Sequence, residues 1–153
     1  MKGTETAELE RSQCINVLLV DDDIADVELA RESLEACKLA LDLNVVYDGQ
    51  EAVDYLFKRG KYSTAITPDI ILLDLNMPRK GGREVLNEIK QDEILKRIPV
   101  VVLTTSDADE DILRSYDLGA SCYVKKPVGL TEFEKVVSAL EGFWFTVVKF
   151  PKR

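Results

Sequence analysis

Short apolar runs alternate with amphipathic segments from residue 16 to about residue 142, and this alternation restricts the fold more than any other feature. Runs without internal polar residues are typical of strands buried on both faces. A repeated strand–helix–strand order predicts a parallel sheet covered by helices on both sides, which is an α/β fold in three layers. The expected strands are 16–21, 43–47, 69–74, 99–104 and 121–125, and the expected helices are 24–37, 49–59, 82–91, 108–118 and 131–142.

Glycines and one capping pattern mark several ends of these elements. Gly60 and Gly119 stand where helices should stop, because glycine readily takes the left-handed backbone conformation. Thr131 and Glu134 have the spacing of a capping box at the start of the last helix.

The length of 153 residues and the 46% hydrophobic content suit one domain with a proper core. We expect this domain to cover residues 15–142. Residues 1–14 are polar and predict a mobile N-terminal arm, and residues 143–153 form an aromatic C-terminal extension.

The charge balance excludes several classes of partner. A net charge of −8 should repel nucleic acid and anionic lipid, so direct binding to either is not expected. No signal peptide and no apolar stretch of membrane-spanning length is present, which predicts a cytoplasmic protein. Three scattered cysteines, Cys14, Cys37 and Cys122, are expected to stay reduced.

Reactive side chains follow four of the predicted strands at the point where each strand ends. Asp21 and Asp22 follow the first, Asp74 ends the third, Thr104 ends the fourth and Lys126 follows the fifth. The carboxyl ends of parallel strands meet at one edge of a sheet, so these groups should converge. Acids, a hydroxyl and an amine in one pocket can hold a divalent cation and a phosphoryl group.

The aspartates after the first strand have two interpretations. Adjacent carboxylates offer the hard oxygen ligands that Mg²⁺ prefers, and Asn76 could add a backbone carbonyl. Aspartate is also a common helix N-cap. We assign the metal role to Asp21 and Asp22 and the capping role to Asp23.

The other strand-end residues also have simpler interpretations. Asp74 alone could be an ordinary loop aspartate, and Thr104 could reflect only β-propensity. Lys126 precedes a proline that favours an extended conformation, whereas alternation points Lys125 to the other face. The coincidence of all four strand ends favours Asp74 as the nucleophile.

The chain contains no histidine. It therefore cannot supply a histidine-based catalytic triad, an imidazole ligand or a phosphohistidine of its own. Any phosphohistidine donor must come from a partner.

Four ordered motifs resemble the signature of a response-regulator receiver domain. They are VLLVDD at 17–22, LLDLNMP at 72–78, VVVLT at 100–104 and YVKKP at 123–127. This resemblance implies a flavodoxin-like fold with five parallel strands in the order 2-1-3-4-5 and phosphorylation by a sensor histidine kinase.

The resemblance also implies roles for the residues at the metal. Asp74 corresponds to the phosphoacceptor and Asp22 to a direct ligand of Mg²⁺. Asp21 corresponds to an acidic neighbour that acts mainly through water, and Asn76 to the carbonyl ligand.

Three further residues match positions that respond to the phosphoryl group in this family. Thr104 and Tyr123 correspond to the switch pair, and Lys126 to the phosphate-binding lysine.

Three segments resemble the small stand-alone regulators that partner phytochrome-type histidine kinases. They are GREVLNEIKQ at 82–91, LKRIP at 95–99 and the pair Phe143 and Trp144. Gly81 departs from the pattern, since the family commonly has an acidic or hydroxylated residue there, and the usual cap of the third helix is in question.

The expected function is that of a phosphorylation-activated switch without an attached output domain, and not that of an enzyme. The alternative is a Mg²⁺-dependent aspartyl-phosphate phosphatase of the haloacid-dehalogenase type. That class needs a second aspartate two residues after the nucleophile, where this chain has Asn76. A flavodoxin is a third option, but no Ser/Thr/Gly-rich phosphate loop follows the first strand.

The aromatic residues near the C-terminus predict a homodimer contact. Phe143, Trp144 and Phe145 add apolar mass where the sheet should already be covered by its helices. These side chains could instead fold back on the flank of the sheet. The predicted contact lies on the face that bears Tyr123.

Overall fold

The computed structural model describes residues 14–35, 41–75, 77, 80–104 and 119–125. Five strands form within these ranges: β1 (Ile15–Val20), β2 (Leu41–Val46), β3 (Ile70–Asp74), β4 (Val100–Thr104) and β5 (Cys122–Lys125). Three α-helices, α1 (Ile24–Glu35), α2 (Gly49–Leu56) and α3 (Gly82–Lys90), accompany two short 3-10 helices, η1 (Gly60–Tyr62) and η2 (Leu95–Arg97).

The strands form one parallel sheet in the order β2-β1-β3-β4-β5. This order confirms the predicted flavodoxin-like architecture. The strand bounds agree with the predicted ranges to within two residues.

Apolar side chains alternate between the two faces of the sheet and build a core on each. On one face Leu18 and Val20 pack in a cluster with side chains from α2 and α3. On the other, Val17 and Leu19 pack with side chains from α1. The strands β1, β3 and β4 are buried on both faces, whereas β2 lies at an edge and is mostly half-buried.

The second helix ends earlier than predicted. It stops at Leu56 instead of residue 59, because Lys58 takes a positive φ of 57° that an α-helix cannot continue. Gly60, with φ of 55°, and Gly119, with φ of 98°, do have the predicted left-handed conformation.

Several predictions fall outside the described residues. They concern the arm before residue 14, the helices expected at 108–118 and 131–142 with the Thr131 and Glu134 capping box, and the extension at 143–153. Within the described ranges the Cys14 thiol is free, and no helix has both the length and the apolar content needed to cross a membrane.

Candidate metal-binding site at the carboxyl edge of the sheet

Asp21 lies immediately after β1 and is held in place by the backbone around it. Its own amide donates to the carbonyl of Val46 at 3.1 Å, which ties it to the end of the neighbouring strand β2. One oxygen of its carboxylate accepts from the amide of Asp23 at 2.9 Å. The residue is only 1% exposed, so the carboxylate has a fixed position inside the edge of the sheet.

Asp74 is the last residue of β3, the strand that lies beside β1 in the centre of the sheet. It is 2% exposed. The residue after it, Leu75, is still bonded to the neighbouring strand β4, because its amide donates to the carbonyl of Leu103 at 3.1 Å. A buried carboxylate at this position is costly unless it is matched by favourable partners, which is typical of a functional site.

Asp22 completes a cluster with these two residues. One carboxylate oxygen from each of Asp21, Asp22 and Asp74 lies within 4.8 Å of the others. Asp21 and Asp74 are buried and Asp22 is exposed, so the cluster has an inner wall and a side open to solvent.

This arrangement suits a divalent cation such as Mg²⁺. Mg²⁺ binds through one or two carboxylates, keeps several waters, and leaves positions for phosphoryl oxygens. An open side at Asp22 gives room for those waters and for a donor to approach. A cation bound there would offset the negative charge that an incoming phosphoryl group brings to Asp74.

Asp23 takes the capping role predicted for it. Its side chain accepts from the amides of Ala25 at 2.9 Å and Asp26 at 3.3 Å, at the first turn of α1. The simpler interpretation of this aspartate is therefore the correct one.

The structure places two other predicted residues at the same edge through their backbones. Thr104 ends β4 and pairs in register with Lys125, while Asp74 pairs with Leu103. Tyr123 lies two residues before Lys125 on β5. The side chains of Thr104 and Tyr123, and all of Asn76 and Lys126, lie outside what the structure describes.

A close backbone contact behind Asp74 was not anticipated from the sequence. A Cβ atom placed on Gly82 would lie 2.3 Å from the carbonyl oxygen of Asp74 and 2.7 Å from Cα of Leu75. The amide of Gly82 also donates to the carbonyl of Leu75 at 3.2 Å. The first residue of α3 therefore packs directly on the backbone that presents the carboxylate.

Gly81 leaves α3 without a side-chain cap, as the sequence suggested. The residue occupies the N-cap position with extended backbone angles and makes no side-chain hydrogen bond. The ion pair between Lys80 and Glu88, with 2.7 Å between Nζ and Oε2, spans this helix start and was not predicted. A separation of eight residues matches no local pairing rule that could have identified it.

The parallel sheet and the acidic cluster at its carboxyl edge are the features of a receiver domain. The family model for the response regulator receiver domain matches residues 17–138. The chain belongs to this family, whose phosphodonor is a histidine kinase.

Among its relatives is the response regulator Rcp1 of Synechocystis sp., 45% identical over 135 residues that cover 88% of this chain and 92% of that protein. The crystal structure of the Mn²⁺-bound form of Rcp1 matches with a TM-score of 0.74 and 45% identity over 85% of this chain and 94% of that one. The phosphorylated cyanobacterial phytochrome response regulator RcpA matches with a TM-score of 0.75 and 47% identity over 86% and 94% of the two chains. The chain is thus a receiver-type response regulator similar to phytochrome response regulators.

The family match favours the receiver domain over the alternative of a haloacid-dehalogenase-type phosphatase. Asn76 stands where a haloacid-dehalogenase-type enzyme would need its general acid. The receiver interpretation accounts for the acidic cluster and for the order of the strands.

Proposed function

We propose that this receiver accepts a phosphoryl group on Asp74 from the phosphohistidine of a phytochrome-type sensor histidine kinase, with Mg²⁺ as cofactor. The observation that carries the proposal is the cluster of Asp21, Asp22 and Asp74 carboxylates within 4.8 Å at the edge of a receiver sheet. Similarity to Rcp1 and RcpA over most of the chain supports the choice of kinase class. Transfer takes place in the cytoplasm, where ATP phosphorylates the kinase.

In the proposed transfer, an oxygen of Asp74 attacks the phosphorus of the donor. A P–O bond forms, the P–N bond to the kinase histidine breaks, and the nitrogen leaves with the bonding electron pair. Burial of Asp74 and the ordered backbone around it hold the attacking oxygen in one orientation. The product is an acyl phosphate, so the chain is a phosphoacceptor and not an enzyme acting on a separate substrate.

The cation would be held by carboxylate oxygens of Asp22 and Asp74 and by the carbonyl of Asn76, with Asp21 acting mainly through water. The different burial of Asp21 and Asp22 supports these two roles. Asp22 is exposed to solvent and can exchange water for metal, whereas one oxygen of buried Asp21 already accepts from a backbone amide. When bound, Mg²⁺ supplies charge neutralisation for the phosphoryl oxygens.

The response to phosphorylation would follow the neighbouring strands. Thr104 ends the strand beside Asp74, and Tyr123 lies on the next strand outward. We expect the Thr104 hydroxyl to donate to the phosphoryl group, Lys126 to pair with it, and Tyr123 to turn into the space that Thr104 leaves.

The decisive experiment is phosphorylation of the full chain with acetyl phosphate or a phosphorylated kinase, with and without Mg²⁺. Intact mass spectrometry should show one added phosphoryl group that hydroxylamine removes, and peptide mapping should place it on Asp74. Asp74→Asn should abolish the label and Asp23→Asn should retain it. A label that persists at another residue in Asp74→Asn would overturn the assignment.

The kinase class needs a test of its own. Phosphotransfer rates from a phytochrome-type histidine kinase should exceed those from histidine kinases with other sensor domains. Equal rates from all donors would contradict the phytochrome assignment and leave Asp74 phosphorylation intact.

We also infer a homodimer contact through Phe143, Trp144 and Phe145. These residues lie outside the described part of the chain, and the support is the concentration of aromatic residues near its end. Sedimentation of the wild type and of Trp144→Ala, with and without a phosphoryl mimic, tests it. A monomer under every condition would contradict the inference.

A further inference from the structure

An ion pair joins Lys80, which lies just before α3, to Glu88 within that helix. Lys80 lies two residues before α3, and Glu88 lies on the second turn of that helix. Their charged atoms are 2.7 Å apart, which is the distance of a charge-assisted hydrogen bond. The pair therefore fastens Lys80 to the body of the helix.

Burial distinguishes this pair from three others in the described chain. The Lys80 side chain is 23% exposed and that of Glu88 is 37% exposed. Lys96 and Glu93 are nearly as close, at 2.9 Å, but Glu93 is 84% exposed and the two residues are near neighbours in sequence. The pairs Arg31–Glu28 and Arg59–Asp54 are separated by 3.9 Å.

The backbone of Lys80 is also confined. A Cβ atom placed on Gly49 would lie 1.9 Å from the carbonyl oxygen of Lys80, so the first residue of α2 packs against this backbone. Two residues later, the amide of Gly82 donates to the carbonyl of Leu75, and a Cβ atom on Gly82 would collide with the carbonyl of Asp74. The residues at the start of α3 are thus held by the close approach of two glycines and by one ion pair.

No side chain caps the N-terminus of α3. Gly81 makes no capping hydrogen bond, and a helix start without a cap is more easily opened. The Lys80–Glu88 pair crosses this uncapped start and substitutes for the missing restraint.

We propose that Lys80 and Glu88 are positioning residues, whose ion pair holds the start of α3 against the backbone of Asp74 and thereby sets the affinity of the cation site. The inference rests on the proposed function, because Asp74, whose backbone Gly82 contacts, is a proposed ligand of the cation. Neither side chain is a proposed ligand of the cation, and the pair acts through the contacts of Gly82 with the backbone of Asp74 and Leu75.

The test uses the full chain with Lys80→Met and Glu88→Gln, which keep side-chain size but remove one charge each. Lys80→Arg and the charge swap Lys80→Glu/Glu88→Lys restore a pair. The matched controls are Lys96→Met and Glu93→Gln, which break the other short ion pair. Two quantities are measured: amide hydrogen exchange of Gly82 in metal-free protein, and the dissociation constant of Mg²⁺ by calorimetry.

In each single variant we expect the Mg²⁺ dissociation constant to rise about threefold to fivefold, equivalent to about 0.65–1 kcal/mol for a partly exposed ion pair. Exchange at the Gly82 amide should accelerate by a similar factor, while the amide of Ile71, bonded to Pro99 at the other end of the sheet, should not change. The swap and Lys80→Arg should return to wild-type values, and the two controls should match wild type.

The outcomes separate the two claims. If the wild type binds Mg²⁺ and both single variants bind it equally well, the positioning role is overturned and the proposed function stands. If the wild type binds no Mg²⁺, the proposed function fails, and the inference fails with it. If a single variant does not fold, the charge-swap variant decides. Wild-type Mg²⁺ binding by the folded swap variant supports the positioning role of the pair, and weakened Mg²⁺ binding contradicts it.

Discussion

Asp23 stands beside two proposed metal ligands, and its side chain is nevertheless turned to the first turn of α1. Replacing it with alanine removes the acceptor for the amides of Ala25 and Asp26. We predict that Asp23→Ala lowers the free energy of unfolding by about 1 kcal/mol, the usual effect of losing an N-cap, while Asp23→Asn keeps most of it.

Urea unfolding of both Asp23 variants checks the stability, and Mg²⁺-dependent labelling of Asp74 checks the site. Both variants should be labelled like wild type. If Asp23→Asn, which preserves the cap, were no longer labelled, Asp23 would have to be counted among the metal ligands.

Tyr62 gives a second prediction for a single side chain. Its hydroxyl donates to a carboxylate oxygen of Glu51 at 2.5 Å, and its ring lies 5.2 Å from that of Tyr55. Burial, together with the hydrogen bond to Glu51 and the negative charge of this residue, raises the pKa of Tyr62 far above the ordinary 10.0. The pKa of Tyr62 is higher in the folded protein than in the unfolded chain. The stabilisation that its hydroxyl gives to the fold is therefore complete below pH 10 and is lost as the pH rises above that value.

We therefore predict that the free energy of unfolding falls as the pH rises above about 10, and falls less steeply in Tyr62→Phe. At neutral pH this variant should lose about 1 kcal/mol from the missing hydrogen bond. Glu51→Gln removes the charge and should also flatten the pH dependence. Identical pH profiles for wild type and Tyr62→Phe would contradict the prediction.

At the scale of the elements, the start of α3 decides how Asp74 is presented. The helix begins at Gly82 because its backbone can approach the Asp74 carbonyl more closely than any residue with a Cβ atom. Gly81, one residue earlier, is different: a Cβ atom there would have its nearest neighbour, the carbonyl oxygen of Leu75, at 3.9 Å. The two adjacent glycines thus form a matched pair for substitution.

We predict that Gly82→Ala destabilises the protein by about 1–3 kcal/mol and weakens labelling of Asp74, because the added methyl group must displace the backbone. Gly81→Ala should change stability by less than about 0.5 kcal/mol, because a Cβ atom there meets no atom closer than 3.9 Å. Urea unfolding and the phosphorylation assay measure both effects. Equal stability of the two variants would show that the close approach at Gly82 can relax without cost.

For the whole molecule, the net charge is −8, and the three carboxylates of the acidic cluster are part of it. Cation binding should therefore stabilise the fold as well as complete the site. At a Mg²⁺ concentration about a hundred times the dissociation constant, we predict an increase of about 2.7 kcal/mol in the free energy of unfolding. Asp22→Asn, which removes the exposed carboxylate, should show a much smaller increase at the same Mg²⁺ concentration.

Thermal unfolding in MgCl₂ and in NaCl of equal ionic strength separates specific binding from screening of the net charge. Only MgCl₂ should raise the Tm strongly. An equal rise in NaCl would mean that the three carboxylates bind no cation specifically.

The sequence determined the type of fold and the candidate site, because both depend on short-range patterns. Apolar runs of four or five residues give strands, and parallel strands bring their carboxyl ends together regardless of the details of packing. The positions of Asp21, Asp22 and Asp74 at one edge of the sheet therefore follow from the sequence. The cap at Asp23 and the left-handed Gly60 and Gly119 follow local backbone rules in the same way.

Only the tertiary structure decided how the start of α3 is held against the end of β3. The contacts of Gly49 with Lys80 and of Gly82 with Asp74 join residues whose distance depends on the path of a loop between two layers. The Lys80–Glu88 pair likewise forms because the side chain of Lys80, which precedes α3, reaches Glu88 within that helix. Such contacts arise from the packing of complete elements, which no periodicity or capping pattern specifies.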